Sequence, residues 1–247
     1  MVEQNNNNEN VKNEGFFNSL KNNVSKVLDK VLQFVPEYLR SRFIPAIIMS
    51  ILAIIILYSP LFNLCILAIA ILMAFEWILI SQNEDVNNKW KFLGLGYIML
   101  PCASLMYIKG VEGGADIILW LFLVVWGTDI AGMIGGRAFG GPKLAPVVSP
   151  HKTWSGLISG VVVSMFIGLL SSVIFKQSAI FFIALSGFLA FVEQMSDLLE
   201  SKFKRHFGVK DSGNLIPGHG GIMDRVDGLT LTAPLVALLV LFSKTIF

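Results

Sequence analysis

The stretch that decides the fold class is GLISGVVVSMFIGLLSSVIF, residues 156–175, twenty consecutive residues without a charge. At 1.5 Å rise per residue an α-helix of this length crosses the hydrocarbon core of a bilayer. A strand that long would leave its backbone groups unsatisfied in lipid, so a helix is the only sensible assignment. Similar runs recur at Phe43–Tyr58, Leu61–Ile80, Phe92–Ile108, Ile117–Ile134, Ala179–Leu199 and Leu229–Phe247. The expectation is an all-α polytopic membrane protein of about seven transmembrane helices, with the integral membrane domain over residues 43–247.

Composition agrees. Hydrophobic residues make up 54% of the 247 and charged residues only 15%, against about 25% charged in a soluble domain. The mean hydropathy is +0.68. A net charge of +2 argues against nucleic-acid binding, which shows as a strongly basic domain. Cys65 and Cys102 lie inside apolar runs and read as buried thiols, and the three histidines lack zinc-like spacing with cysteine. No cleavable signal peptide is read. Residues 1–15 are Asn-rich and expected to be disordered. Residues 16–42 carry apolar residues at helical spacing (Phe17, Leu20, Val24, Val27, Leu28, Val31) with lysines on other faces, as in an interfacial helix; a short soluble helix is an equal reading.

The cations choose a side. Of the 19 lysines and arginines, all but Lys109, Lys176 and Lys244 fall on the side that holds the N-terminal segment and residues 81–91, 135–155 and 200–228. The positive-inside rule makes that side cytoplasmic.

Two of those connections carry chemistry. Residues 135–155 read GGRAFGGPKLAPVVSPHKTWS. Glycines let backbone amides approach a ligand, and Arg137, Lys143, Lys152, Ser149 and Thr153 suit a polyphosphate. Contact with anionic lipid headgroups is the equal alternative. Residues 201–227 read SKFKRHFGVKDSGNLIPGHGGIMDRVD. Asp224 and Asp227 share a helix face, Asp211 is brought near by the glycine-rich turn, and Asp197 closes the sixth span. Hard carboxylate oxygens grouped this way suit Mg²⁺. Within the spans, Glu76 and Glu193 read as helix–helix hydrogen-bond partners, whereas Asp129, close to the cytoplasmic end of its span, is the better candidate for a polar cavity.

The second segment resembles the phosphatidate cytidylyltransferase (CDP-diacylglycerol synthase) family. Ser201, Phe203, Lys204, Arg205, Lys210, Asp211, Gly213, Ile216, Pro217, His219, Gly220, Gly221, Ile222, Asp224, Arg225, Val226 and Asp227 fill its motif without a gap. The first segment is also similar, through Gly136-Arg137, Phe139-Gly140, Lys143, Ser149-Pro150 and Lys152-Thr153-Trp154. It departs at His151 and Ser155, where the family often has a lysine and an acid. Ser196 stands where a glycine is frequent.

The resemblance implies transfer of a cytidylyl group from CTP to phosphatidate, releasing pyrophosphate. It implies catalytic Asp211, Asp224, Asp227, Lys210 and Arg225, with Mg²⁺ on the three aspartates and Asp197 as a fourth ligand. Substrate would meet Arg137, Lys143, Ser149, Lys152, Thr153, Ser201, Lys204, Arg205, His219, Gly220 and Gly221. The setting it implies is a bacterial-type inner membrane, with the bilayer as partner and the site facing the cytoplasm; a homodimer is a further expectation. The competing readings are a CTP-dependent polyprenol or lipid kinase and, from another class, a membrane transporter that uses the intramembrane acids.

Overall fold

The computed structural model describes residues 37–81, 88–213 and 220–242. The expected tail at 1–15, most of the interfacial stretch at 16–42, and His219 lie outside the described residues. The elements are α1 (Glu37–Tyr58), α2 (Phe62–Ser81), α3 (Asn88–Lys109), α4 (Gly114–Phe139), β1 (Lys143–Ala145), β2 (Ser149–Thr153), α5 (Trp154–Phe175), α6 (Ala179–His206) and α7 (Met223–Phe242). The chain divides into two units, Met1–Ile51 and Leu52–Phe247. The described part of the first is helical, and residues 37–42 lie within α1. The second unit holds everything that follows.

Among the described residues six helices, α2 to α7, are long and apolar enough to cross a membrane, and Pro45–Tyr58 of α1 is a shorter apolar segment. The seven helices agree with the expected count of about seven. Their outer faces are apolar and uncovered: Leu64, Ile71, Ile158 and Val173 are each exposed by more than half. A soluble monomer rarely carries so large an apolar surface, and in lipid it is the expected exterior.

The interior inverts the usual pattern. Helices cannot be driven together by the hydrophobic effect when lipid is as apolar as leucine, so close backbone approach takes over. On α5, Gly156, Gly160, Ser164, Gly168 and Ser172 are buried at intervals of one turn. A Cβ on Gly160 would lie 3.0 Å from the Thr128 carbonyl oxygen, and one on Gly168 only 2.3 Å from that of Phe182. This stripe seats α5 between α4 and α6. Hydrogen bonds add to it: Thr128 Oγ1 lies 2.7 Å from Ser164 Oγ, and the Trp120 indole donates to Ser186 Oγ at 3.1 Å. A conventional apolar core, including Met73, Leu105, Ile118, Leu121, Ala233 and Val236, fills the other half, where α3 packs on both α2 and α7.

Among the helices that outrun the apolar spans marking them, three bear on the site. α4 continues past Ile134 to Phe139, α6 past Leu199 to His206, and α7 begins at Met223 rather than Leu229. Loss of apolarity marks the edge of the membrane, not the end of the helix, since backbone hydrogen bonds persist in water where residues such as Leu, Glu, Lys and Arg favour them. The two long connections therefore shrink to a hairpin and a glycine-rich loop.

Replacing Gly168 by alanine should destabilise the bundle by about 1–3 kcal/mol, because the obstacle is backbone and cannot swing aside. Gly96, with nothing within 4 Å of its Cβ position, is the neutral control; SDS unfolding in mixed micelles measures both.

Candidate active site

The first half of the site is built where α4 ends. Its last turn closes with the Gly140 N–H donating to the Gly136 carbonyl at 3.2 Å. Gly140 and Gly141 both take positive φ, 62° and 100°, a reversal that side chains resist and glycine permits. The chain then forms an antiparallel pair, Lys143 opposite Thr153 and Ala145 opposite Ser149. Thr153 is buried, and its Oγ1 accepts the Gly156 N–H at 3.1 Å, so it caps α5. That hydroxyl was expected to meet nucleotide; its work here includes starting a helix.

Between hairpin and bundle lies a cavity of about 480 Å³. Lys143, His151, Lys152 and Thr153 line it from the hairpin side, and Asp129, Gly136, Arg137 and Gln194 from the helices. Asp129 thus stands in a polar cavity, as expected. Lys152 is the link inward: its ammonium pairs with Asp197 and donates to Gln194 Oε1 at 3.0 Å. Gln194 Nε2 in turn donates to Glu193 Oε2 at 2.8 Å. Burial pulls the Lys152 ammonium toward neutrality, but Asp197, Glu193 and Asp129 outweigh it and hold its pKa above the ordinary lysine value.

The second half is a set of carboxylates at the ends of α6 and α7. Asp197, Glu200 and Asp227 each bring one oxygen to within 4.8 Å of the others. Glu200 is fully buried; its oxygens accept no hydrogen bond, and the Lys204 ammonium is 3.3 Å from Oε2. Three carboxylates this close repel one another unless a cation or protons compensate. Hard oxygen donors with an under-satisfied buried member fit a divalent ion such as Mg²⁺. Ser201 Oγ donates to Asp197 Oδ1 at 3.3 Å and holds it in place.

Asp224 differs from the expectation. It lies one turn from Asp227, yet its carboxylate is already engaged. Lys204 Nζ donates to it at 2.6 Å, Ser212 N at 3.0 Å, Ser212 Oγ at 3.0 Å and Gly221 N at 2.8 Å. Charge-assisted hydrogen bonds of this number anchor a loop. Asp211 is exposed and belongs to no group of three acids among the described residues. The structure therefore brings Asp197 and Asp227 of the expected metal set together with Glu200, while Asp211 and Asp224 stand outside that group of three. Arg205, Lys210 and Arg225 are exposed at this end, and Arg205 donates to the Val209 carbonyl at 3.1 Å. Gly220 takes a positive φ of 84° beside Asp224. Gly221 is packed against Ser212 and Glu76.

One acid, Glu200, was missed, and another, Glu76, has loop partners beyond the helix contact expected of it. Glu200 follows Asp197 by three residues and precedes Lys204 by four, a helical spacing that shows only once α6 is continued past Leu199. Glu76 joins α2 to the first residue of α7 and to the loop before it. It accepts hydrogen bonds from Ile222 N at 2.7 Å, Met223 N at 2.9 Å and Ser212 Oγ at 3.1 Å, all from the loop and the start of α7. Nothing in the sequence of α2 pointed to that partner.

Lys204 neutralises both Glu200 and Asp224 in a largely buried setting, with 13%, 0% and 6% of their side chains exposed. Lys204→Met should cost about 3–5 kcal/mol of unfolding free energy, because it strands two buried anions. The SDS unfolding midpoint, compared with that of the exposed Lys202→Met, measures the loss.

The Cytidylyltransferase family model matches residues 90–243. The phosphatidate cytidylyltransferase of Rickettsia bellii is 38% identical over 207 residues, covering 81% of this chain and 88% of that protein. That of Brucella suis is 46% identical over 174 residues, 70% of this chain and 64% of that protein. That of Rickettsia felis is 36% identical over 187 residues, 72% and 81% respectively. Matched to the family over more than half its length, and to such relatives over most of it, the chain belongs to the phosphatidate cytidylyltransferase family.

Proposed function

We propose that this chain transfers the cytidylyl group of CTP to phosphatidate, forming CDP-diacylglycerol and pyrophosphate. The observation that carries the reading is the Lys152–Asp197 ion pair. It joins a cation-lined cavity to a carboxylate trio at the end of a membrane bundle, where a polyphosphate and a lipid headgroup could meet. The relatives' names give the substrate class.

The nucleophile is a phosphate oxygen of phosphatidate. With a second pKa of about 6 it is already anionic at neutral pH and needs no general base. Its new bond forms to the α-phosphorus, and the bond from that phosphorus to the bridging oxygen breaks, its electron pair leaving with pyrophosphate. The obstacle is charge repulsion, so catalysis rests on positioning and electrostatics. Arg137, Lys143 and Lys152 supply counter-charge around the cavity, and Asp197 keeps Lys152 protonated. Arg205, Lys210 and Arg225 add positive potential for arriving anions. Asp197, Glu200 and Asp227 would hold Mg²⁺, which when bound neutralises phosphate charge. Lys204 limits the mutual repulsion of the acids.

The hairpin and the motif loop meet at one end of the bundle. The charge asymmetry supports a cytoplasmic face for that end, where CTP is found, and the bacterial relatives support an inner-membrane setting. Phosphatidate then approaches within the inner leaflet, its acyl chains remaining among the helices. A kinase or a transporter is not favoured: neither accounts for relatives named as cytidylyltransferases.

Purified protein should release pyrophosphate from CTP only when phosphatidate is present; release of CDP instead would indicate kinase chemistry. Asp227→Asn should lower that rate by roughly 10² or more, and near-normal turnover would remove Asp227 from the machinery. Mg²⁺ should raise the thermal unfolding temperature of the wild type. Glu200→Gln should abolish that increment and Asp211→Asn should retain it; the opposite pattern would return the ion to the motif-loop acid.

A further inference from the structure

Glu76 precedes the segment matched by the family model and is one of the most buried side chains in the protein, at 1% exposure. Among the described residues no cation pairs with it. Its charge is met instead by the N–H groups of Ile222 and Met223 at 2.7 and 2.9 Å and by the Ser212 hydroxyl. α7 begins at Met223, so these amides are the free donors of a helix start, where an anion is most stabilising. Glu76 thus caps α7 from another helix.

The cap reaches the site by two short routes. Asp227 is one turn beyond Met223, so wherever the first turn of α7 is set, Asp227 follows relative to Asp197 and Glu200. Ser212 also stands between Glu76 and Asp224, 3.1 and 3.0 Å away, and Asp224 is tied to Lys204 and through it to Glu200. Gly221 is packed tightly over the carboxylate: a Cβ on it would lie 2.6 Å from Glu76 Oε1 and 2.0 Å from Ser212 Oγ.

We infer that Glu76 is a positioning residue for the reaction: a carboxylate clamp on α2 that fixes Ser212, Ile222 and the first turn of α7, and with them the place of Asp227 among the carboxylates. This rests on the cytidylyl-transfer reading for its kinetic consequence. Three donors converge on two oxygens, so a carboxylate is required. A glutamine would turn an N–H₂ toward one of those donors, and an aspartate would fall one methylene short.

The test compares wild type, Glu76→Gln and Glu76→Asp in detergent, with the exposed loop variant Glu112→Gln as control. Amide exchange in the segment 220–228 is read by mass spectrometry without substrate. Turnover is read as pyrophosphate release. Glu76→Gln should exchange faster in that segment and nowhere else to the same degree. Its kcat should fall roughly 10- to 100-fold, as small displacements of reacting groups do. Its KM for CTP should stay within a factor of about three, since the cavity cations are untouched. Glu76→Asp should lie between. A lower unfolding midpoint with wild-type kcat per folded molecule would reduce Glu76 to a structural role and overturn the inference. So would unchanged exchange in the segment. If Glu76→Gln does not fold, Glu76→Asp decides alone: wild-type exchange and kcat in that variant overturn it. If the wild type releases no pyrophosphate, the cytidylyl-transfer reading fails, while the exchange comparison still decides whether the clamp exists.

Discussion

The ammonium of Lys204 lies between Asp224 and Glu200, at 2.6 and 3.3 Å, and the rest of the site is arranged around that shared charge. It ties α6 to α7 at the end where the loop between them is longest. It lets Asp224 serve as the loop's anchor, gathering amide donors from Ser212 and Gly221. On its other side it leaves Glu200, Asp197 and Asp227 as a group of acids with more negative charge than the protein itself balances. Such a group fits a divalent cation, which would offset that charge.

The membrane supplies the second constraint. Within the hydrocarbon region every backbone group must be bonded inside its own helix, so loops and strand pairs are confined to the ends of the bundle. The hairpin and the motif loop meet at one end because α4 and α6 both arrive there and α5 and α7 both depart. Small residues on α5 bring its backbone close to α4 and α6, which carry Asp129 and Gln194 to the cavity. Polar residues in the spans follow one rule: they are stable only where another polar group or the cavity receives them. Asp129 meets the cavity, Glu193 meets Gln194, and Glu76 meets the loop.

The apolar runs made the membrane helices legible, and charge asymmetry made their alternation legible, because both properties belong to single residues counted along the chain. The motif segment was legible as a site for the same reason. Its limits were read less well. Ile134, Leu199 and Leu229 mark where apolarity changes, while the helices obey backbone hydrogen bonding and run to Phe139, to His206 and from Met223. That difference hid Glu200, which looks like part of a loop until α6 is extended.

What the sequence alone determined, then, is the class of fold and the family of the reaction. Each follows from local pattern. What only the tertiary structure decided is the division of labour among the acids. Asp224 and Asp227 share a helix face, but the partners of a carboxylate come from other elements. Lys204, Ser212 and Gly221 claim the first, and Asp197 and Glu200 surround the second. Glu76 lies more than a hundred residues from its hydrogen-bond donors, and no spacing along the chain encodes a contact of that range.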